Sequence, residues 1–205
     1  LNQPSLKAVL FRGRGRHFSA GADLASLEGL AREPQQFQEA LTRGKELLQL
    51  IDLSPVPTLA MINGSCLGAG LELALRCHFR FSSPNAMFGF PEAELGLMPG
   101  FGGTLVDDRL RRAKRIELCL SGRLIGADEA LEIGLIDRIA AKKELARAAE
   151  DFLSGLVQER SSKQIRAILT SINNGRLLSQ DEALRRESAL FCSLVRERGE
   201  GGGDD

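Results

Sequence analysis

The chain has 205 residues, 43% of them hydrophobic, and its 27 lysines and arginines balance 27 aspartates and glutamates. This length is enough for one domain with a sizeable core. A formal net charge of zero argues against a nucleic-acid-binding protein, which needs a basic surplus to contact phosphates. The apolar runs fall well short of the roughly 20 residues that span a bilayer, so we expect neither a nucleic acid nor a membrane as a partner.

The cysteines and histidines exclude further kinds of site. The cysteines are widely spaced and contain no C-x-x-C pair; they are Cys66, Cys77, Cys119 and Cys192. We therefore expect neither a disulfide framework nor a zinc centre, and reduced thiols indicate a cytoplasmic protein. Because His17 and His78 are the only histidines, a multi-histidine metal site is excluded, and we expect no bound metal.

The first half of the chain alternates predicted strands, loops and helices. Leu6–Phe11 and Thr58–Ile62 have the composition of buried strands. Gln35–Ile51 has apolar residues at three- and four-residue steps, which predicts an amphipathic helix. The other predicted elements are a loop over Gly13–Asp23, a short helix from Gly68 through Ala74, strands over His78–Ser82 and Met87–Phe90, and a glycine-rich loop over Gly96–Thr104.

Helical spacing dominates the second half. The predicted helices are Arg109–Ser121, Ala127–Ile133, Lys142–Gln158, Ser162–Ile172 and Gln180–Arg196. The composition of Gly199–Asp205 is typical of disorder. Strands that alternate with helices, followed by a helical end, predict an α/β or α+β fold. We expect a core over residues 1–125, a helical region over 126–198 and a disordered tail over 199–205.

Two segments join small residues to polar ones in a way that fits a ligand site. In His17–Leu24 (HFSAGADL) the small residues would let backbone N–H groups approach a ligand closely, although a plain glycine turn explains the segment equally well. In Asn63–Leu75 (NGSCLGAGLELAL) a small-residue loop opens a helix, whose first N–H groups are unpaired. Glu72 sits there among apolar neighbours, which favours a raised pKa, but alone it reads more simply as a glutamate favoured by the helix dipole.

A third segment, Phe88–Thr104 (FGFPEAELGLMPGFGGT), carries a second glutamate before a glycine-rich loop. Glu92 follows a proline there, and by itself it could be a solvated carboxylate in a turn. On spacing alone, Glu94 could take the same part. Neither glutamate would identify a site without the other two segments.

Together and in this order, the three segments resemble the crotonase superfamily, the family of enoyl-CoA hydratases and isomerases. Its motifs are typically A-G-A-D, G-x-x-x-G-G-G-x-E-L and P-E-x-x-x-G-x-x-P-G-x-G-G-T, and the chain matches them with Ala69 where most relatives have glycine. The resemblance runs from about Leu6 to Ile139 and continues loosely through the helical end. It implies an α/β fold: a ββα spiral core with a C-terminal helical region that takes part in oligomerisation and closes the acyl pocket, assembled as a homotrimer or homohexamer.

The resemblance also implies a reaction and the residues that perform it. We expect an enoyl-CoA hydratase whose acyl-CoA substrate brings coenzyme A as part of the thioester, with no permanently bound cofactor. The matching positions make the backbone N–H groups of Ala22 and Ala69 an oxyanion hole, and Glu72 and Glu92 the acid–base pair around one water. The implied substrate-binding residues are Ala20, Asp23, Leu24 and Gly100, and the N–H of Gly100 would help to place the water.

Several alternatives remain open at this stage. Other crotonase reactions are enoyl- or dienoyl-CoA isomerisation and thioester hydrolysis, and a non-catalytic crotonase-like scaffold is a further possibility. Relatives usually have a strand segment before Leu6 that this sequence lacks, so we expect the spiral to lack its N-terminal strand segment, which could weaken activity. Leu27, Met98 and Phe101 are expected to line or abut the acyl pocket, although such residues are more often core.

Overall fold

The computed structural model describes residues 3–103 and 110–200. Its strands are β1 (Val9–Arg12), β2 (Thr58–Ile62), β3 (Ser65–Leu67), β4 (Phe79–Ser82), β5 (Met87–Gly89), β6 (Ile125–Gly126) and β7 (Arg138–Ile139). Its α-helices are α1 (Leu24–Ala31), α2 (Pro34–Asp52), α3 (Ala69–Arg76), α4 (Arg112–Ser121), α5 (Ala127–Glu132), α6 (Leu145–Val157), α7 (Ser162–Leu177) and α8 (Gln180–Glu200). A 3₁₀ helix spans Pro91–Leu95.

Most predicted elements are present, with small shifts of their ends. β2 has the predicted bounds, and α2 extends one residue beyond the prediction at each end. β1 begins at Val9 rather than Leu6, because the N–H of Leu6 donates to Gln3 O at 3.1 Å in a turn that precedes the strand. α8 continues to Glu200, two residues into the predicted tail. The rest of that tail lies outside the described residues, as do Arg109 and Thr104.

The prediction missed several short elements. Helix α1 has a local N-cap, because the Asp23 carboxylate accepts from the N–H of Ser26 at 3.2 Å, but none of its residues is buried. Strand β3 has only three residues and depends on pairing with a strand more than twenty residues away. Strands β6 and β7 have two residues each.

The chain divides into two compact units. The first, here called the terminal unit, comprises residues 1–9, 53–57 and 153–205 and is built on a small core of Val56, Val157 and Ile165. The second, here called the site unit, comprises residues 10–52 and 58–152 and contains the predicted catalytic segments. The proposed boundary at residue 125 stays a prediction.

Two sheets build the site unit. One has the order β1-β2-β4-β7, with β2 parallel to β4 and β4 parallel to β7. The other has the order β3-β5-β6, with β3 parallel to β5 and β5 antiparallel to β6. Its core includes Ile62, Leu71, Phe88, Phe90 and Leu118, each at most 1% exposed. Among the described residues no helix is both long and apolar enough to cross a membrane.

Candidate active site

The second sheet brings two predicted catalytic segments to one edge. In the parallel register of β3 and β5, Leu67 lies beside Gly89, and the N–H of Gly68 donates to Gly89 O at 3.0 Å. Parallel strands leave a sheet at the same end, so α3 and the 3₁₀ helix start side by side. Glu72 and Glu92 therefore face the same space.

The first predicted segment joins this edge through backbone pairing. Ser19 bridges to Cys66, and the N–H of Leu67 donates to Ser19 O at 3.0 Å. The turn that follows needs glycine at Gly21, whose φ is +104° and where a Cβ would lie 3.2 Å from Leu67 O and 3.8 Å from Ala69 N. The turn from residue 20 to 22 thus runs along the first residue of α3.

The three segments enclose a cavity of about 710 Å³. It contains seven of the eight predicted site residues, and its full lining is Ala20, Gly21, Ala22, Leu24, Leu27, Phe37, Leu41, Gly68, Ala69, Glu72, Pro91, Glu92, Leu95, Gly96, Leu97, Met98, Gly100 and Phe101. Apart from two glutamates, every side chain in this set is apolar. A largely apolar cavity with two converging carboxyl groups is typical of a small-molecule site.

Backbone donors lie at one wall of the cavity. Ala69 is the first residue of α3, so its N–H has no partner within the helix and stands at the positive end of the helix dipole. Its helical conformation has a negative φ, which accommodates the methyl group that most relatives lack. With the N–H of Ala22 on the adjoining turn, this arrangement suits an oxygen that gains negative charge during a reaction.

Glu72 is fully buried and held by the loop that follows the 3₁₀ helix. Its Oε1 atom accepts from the N–H groups of Phe101 at 2.9 Å and Gly103 at 2.5 Å. Its Oε2 atom is buried without a hydrogen-bond partner among the described residues. Burial raises the pKa of Glu72; the two N–H donors oppose that shift, and the charge of Glu92 adds to it. One carboxylate oxygen is thus fixed, and the other is left for a ligand.

Glu92 is the second residue of the 3₁₀ helix and faces the start of α3. Its Oε1 atom lies where a Cβ on Gly68 would be only 2.7 Å away, so the carboxylate occupies the space that this glycine leaves. Its Oε2 atom is buried and has no hydrogen-bond partner in the described parts of the chain. Burial raises the pKa of Glu92, and its own backbone N–H partly opposes the shift.

The structure shows which of Glu92 and Glu94 lies in the cavity, a question that their spacing in the sequence left open. Glu94 is exposed and does not line the cavity. Its side chain lies beside Gly122, where a Cβ would be 2.9 Å from Glu94 Cγ. The pair available for chemistry in this cavity is therefore Glu72 with Glu92. Two neighbouring carboxyl groups with raised pKa values can hold one proton between them and titrate as a unit.

Asp23 is the one predicted site residue that does not line the cavity. It caps α1, where its carboxylate accepts from the N–H and the hydroxyl group of Ser26. These hydrogen bonds lower the pKa of Asp23, the one with the Ser26 hydroxyl most. A direct contact of its side chain with substrate stays a prediction.

Sequence reasoning did not identify several residues at the cavity. Phe37 and Leu41 line it from α2, but their four-residue spacing is equally typical of core residues. The N–H groups of Phe101 and Gly103 as partners of Glu72 left no local signal. Leu95 and Leu97 line the cavity from within the third segment. They are more than half exposed, as is typical of apolar residues at a binding site, but the sequence alone does not show this exposure.

Comparison with known proteins identifies the family of the chain. The model of the enoyl-CoA hydratase/isomerase family matches residues 1–202. A "Probable enoyl-CoA hydratase" of Bacillus subtilis is 36% identical over 192 residues, which cover 91% of this chain and 72% of that protein. The crotonyl-CoA hydratase of Syntrophomonas wolfei is 33% identical over 207 residues, which cover 98% of this chain and 77% of that protein.

Solved structures show the same fold. An enoyl-CoA hydratase from Bacillus anthracis superposes with a TM-score of 0.85 at 29% identity, covering 95% of this chain and 75% of the other. A Thermobifida fusca structure that contains CoA superposes with a TM-score of 0.80 at 25% identity, covering 97% of this chain and 80% of the other. These matches confirm the predicted α/β crotonase-like fold with its C-terminal helices.

Proposed function

The chain belongs to the enoyl-CoA hydratase/isomerase family, and we propose that it adds water across the 2,3 double bond of an enoyl-CoA thioester. The observation that carries this proposal is a pair of buried oxygen atoms in one cavity, Glu72 Oε2 and Glu92 Oε2, neither of which has a hydrogen-bond partner among the described residues. Hydration needs one group to take a proton from water and another to supply a proton to carbon. Two carboxyl groups with raised pKa values fit these tasks.

The thioester carbonyl would bind between the N–H groups of Ala22 and Ala69. Attack at C3 moves the electrons of the double bond toward this oxygen, which becomes an enolate oxygen. Such a donor stabilises a developing oxyanion by about 2.7–4 kcal/mol in other enzymes. Both residues line the cavity beside the carboxylates, and a structure similar to this chain contains CoA.

The glutamate pair would hold one water between its two carboxyl groups. The water oxygen forms a bond to C3 while one carboxylate takes its proton. The enolate then returns its electron pair to C2, which takes a proton from the other carboxyl group. One water is consumed, the product is a 3-hydroxyacyl-CoA, and exchange of protons with solvent restores the pair. The N–H of Gly100, also at the cavity, would help to place the water.

The acyl chain would lie along the apolar wall of the cavity. Leu24 and Leu27 of α1 and Met98 beyond the 3₁₀ helix are part of this wall. Leu24 is 45% exposed and Met98 is 66% exposed, so an acyl chain that covers them would add hydrophobic stabilisation of about 25 cal/mol per Å² of apolar surface. Substrate binding would thus bury these two side chains, and their burial would strengthen substrate binding.

We also propose a homotrimeric or homohexameric assembly in the cytoplasm. Exposed apolar residues recur on α8 at Leu184, Phe191 and Val195, seven and four residues apart, which places them on one helix face. Such a stripe favours burial against another subunit.

The cysteines support the proposed cytoplasmic location. All four cysteines belong to the described residues and are free thiols, as a reducing compartment would keep them.

The test is an enoyl-CoA assay with identified products. Purified protein is incubated with enoyl-CoA thioesters of increasing chain length, including cyclic and aromatic-derived dienoyl-CoAs, while loss of the enoyl absorbance is followed. Mass spectrometry should find a product heavier by one water. A product of unchanged mass would indicate an isomerase, free CoA thiol would indicate a hydrolase, and no turnover by a stable oligomer would indicate a scaffold.

A further inference from the structure

Helix α3 presents two charged side chains to the same loop. Glu72 and Arg76 are four residues apart and so lie on one helix face. Glu72 Oε1 accepts from the N–H groups of Phe101 and Gly103, and Arg76 Nη2 donates to Gly102 O at 3.4 Å. The Glu72 carboxylate thus accepts hydrogen bonds from the N–H groups on either side of Gly102, and the Arg76 guanidinium donates one to the Gly102 carbonyl between them.

The contact between Arg76 and the loop requires a glycine. Gly102 has φ +99°, and a Cβ at this position would lie 2.5 Å from Arg76 Nη2. The guanidinium therefore packs where a side chain would otherwise stand. This close approach holds the loop against α3.

Asp52, the last residue of α2, forms an ion pair with the same guanidinium group through its other terminal nitrogen. The Arg76 Nη1 and Asp52 Oδ2 atoms are 3.7 Å apart, and both side chains are about four-fifths buried. Arg76 and Asp52 line a second cavity of about 480 Å³ with Lys45 and Gln49. Arg76 does not line the larger cavity, but Gly100 and Phe101 line both. The loop thus separates the substrate cavity from the ion pair.

Several charged or titratable groups surround Glu72. Glu92 faces it from the 3₁₀ helix, and its charge raises the pKa of Glu72, whereas Arg76 lowers it. Cys119 of α4 lies near both glutamates. Burial raises the pKa of its thiol most, and the charges of the two glutamates raise it further. Behind Arg76 stand Lys45 and Asp52 of α2. Arg76 is the cation among them that directly favours the ionised form of Glu72.

We propose that Arg76 is a positioning residue for Glu72, which it serves by holding the carbonyl of Gly102 so that the Phe101 and Gly103 N–H groups stay directed at Glu72 Oε1. This inference rests on the proposed hydratase function, in which Glu72 Oε2 must face the water. Arg76 touches no substrate and acts only through the loop and through its charge. Asp52 supports it by fixing the guanidinium.

The first test compares the steady-state kinetics of Arg76→Met, Arg76→Lys and Asp52→Asn with those of the wild type. Arg76→Met should lower kcat about 10- to 100-fold, the size of effect that a misplaced catalytic group produces, with KM within about 2-fold. Its pH profile should shift to higher pH on the limb set by Glu72, since the lost cation raises that pKa. Arg76→Lys keeps the charge and should keep the pH profile while kcat still falls.

The matched control is Arg43→Met, which removes an exposed arginine from α2 that pairs with Glu39 at 3.9 Å. It should leave kcat and the pH profile unchanged. Asp52→Asn should lower kcat less than Arg76→Met does, and it carries the test if Arg76→Met fails to fold. The proposal would be overturned if the Arg76 and Asp52 variants fold, keep kcat within about 2-fold of the wild type and show the pH profile of the wild type.

A second readout does not depend on turnover. Hydrogen exchange of the Phe101 and Gly103 amides should accelerate at least 10-fold in Arg76→Met, and not in Arg43→Met, because the loop no longer holds these N–H groups against Glu72. If the wild type lacks hydratase activity but exchange still accelerates, the proposed function fails and the positioning role stands. Unchanged exchange in an active enzyme contradicts the positioning role alone.

Discussion

The Oε1 atom of Glu92 occupies the space beside Gly68 where any other residue would carry its side chain. A Cβ on Gly68 would lie 2.7 Å from that oxygen, and the φ of Gly68 is +50°. The glycine that precedes α3 thus leaves room for the Glu92 carboxylate and also permits the positive φ of the turn. Its small size lets the two glutamates approach from neighbouring strand ends.

Gly68→Ala should therefore damage the glutamate pair directly. The new methyl group would displace the Glu92 carboxylate and strain the backbone, since L side chains rarely adopt this φ. We expect kcat to fall about 100-fold, as for other misplaced catalytic groups. Steady-state kinetics with an enoyl-CoA, and circular dichroism to verify folding, check this expectation.

Gly155→Ala is the matched control for that variant. Gly155 lies in α6, and a Cβ there meets nothing within 4 Å. The change should stabilise the fold by about 0.4–1 kcal/mol and leave kcat unchanged. Equal activity of Gly68→Ala and Gly155→Ala would show that the contact between Gly68 and Glu92 has no role in catalysis.

The raised pKa of Glu92 predicts a pH dependence of stability. Because the folded pKa lies above the unfolded value of about 4.3, the folded state binds the proton more tightly. The folded protein therefore gains stability as pH falls through the raised pKa toward 4.3, and loses that gain as pH rises. In Glu92→Gln this contribution is absent.

Urea unfolding of the wild type and Glu92→Gln between pH 7 and about pH 4, a range that includes the unfolded value, measures this effect. The free energy of unfolding of the wild type, minus that of the variant, should increase as the pH is lowered. Contributions from distant titrating groups cancel in the difference, whereas that of Glu72, whose pKa the charge of Glu92 raises, adds to it in the same direction. A difference that stays constant over this range would mean that burial does not raise the pKa of Glu92.

Arg80 is expected to stabilise the site unit. Its side chain is 1% exposed, and it donates to Leu135 O and Cys77 O, each at 2.7 Å. Arg80→Met would leave both carbonyls without this donor and remove the cation 3.7 Å from Asp137. We expect a loss of about 3–5 kcal/mol in the free energy of unfolding, which chemical denaturation would measure.

Arg147→Met provides the comparison for Arg80. Arg147 is 86% exposed and pairs with Asp151 on the same helix at 3.4 Å, and exposed pairs of this kind contribute little. Its unfolding curve should match that of the wild type. Similar destabilisation by both variants would argue that burial of Arg80 has no special importance.

The elements with a strong local signal were predictable from the sequence. β2 and α2 follow from an apolar run and from amphipathic spacing, and each is bounded by proline or a turn. The start of α3 follows from the small residues before it. The pairing of Glu72 with Glu92 followed from the resemblance to the family motifs and not from these local signals.

Other features depend on contacts between distant residues and could not be predicted. The packing of the 3₁₀ helix directs Glu92 into the cavity and Glu94 towards Gly122, and spacing alone left Glu94 as suitable as Glu92. The contact of Arg76 with Gly102 joins a helix to a loop 26 residues away, and in sequence Arg76 reads as one more helical arginine.

We propose that Glu72 and Glu92 together add water to an enoyl-CoA. The most direct test is to measure hydration of an enoyl-CoA in ¹⁸O-labelled water by the wild type, Glu92→Gln and Glu94→Gln, with CoA binding followed in parallel. We expect label at C3 and wild-type turnover for Glu94→Gln. For Glu92→Gln we expect hydration to fall at least 100-fold, the usual size for an acid–base group, with CoA binding retained. Near-normal hydration by Glu92→Gln would contradict the role of the glutamate pair.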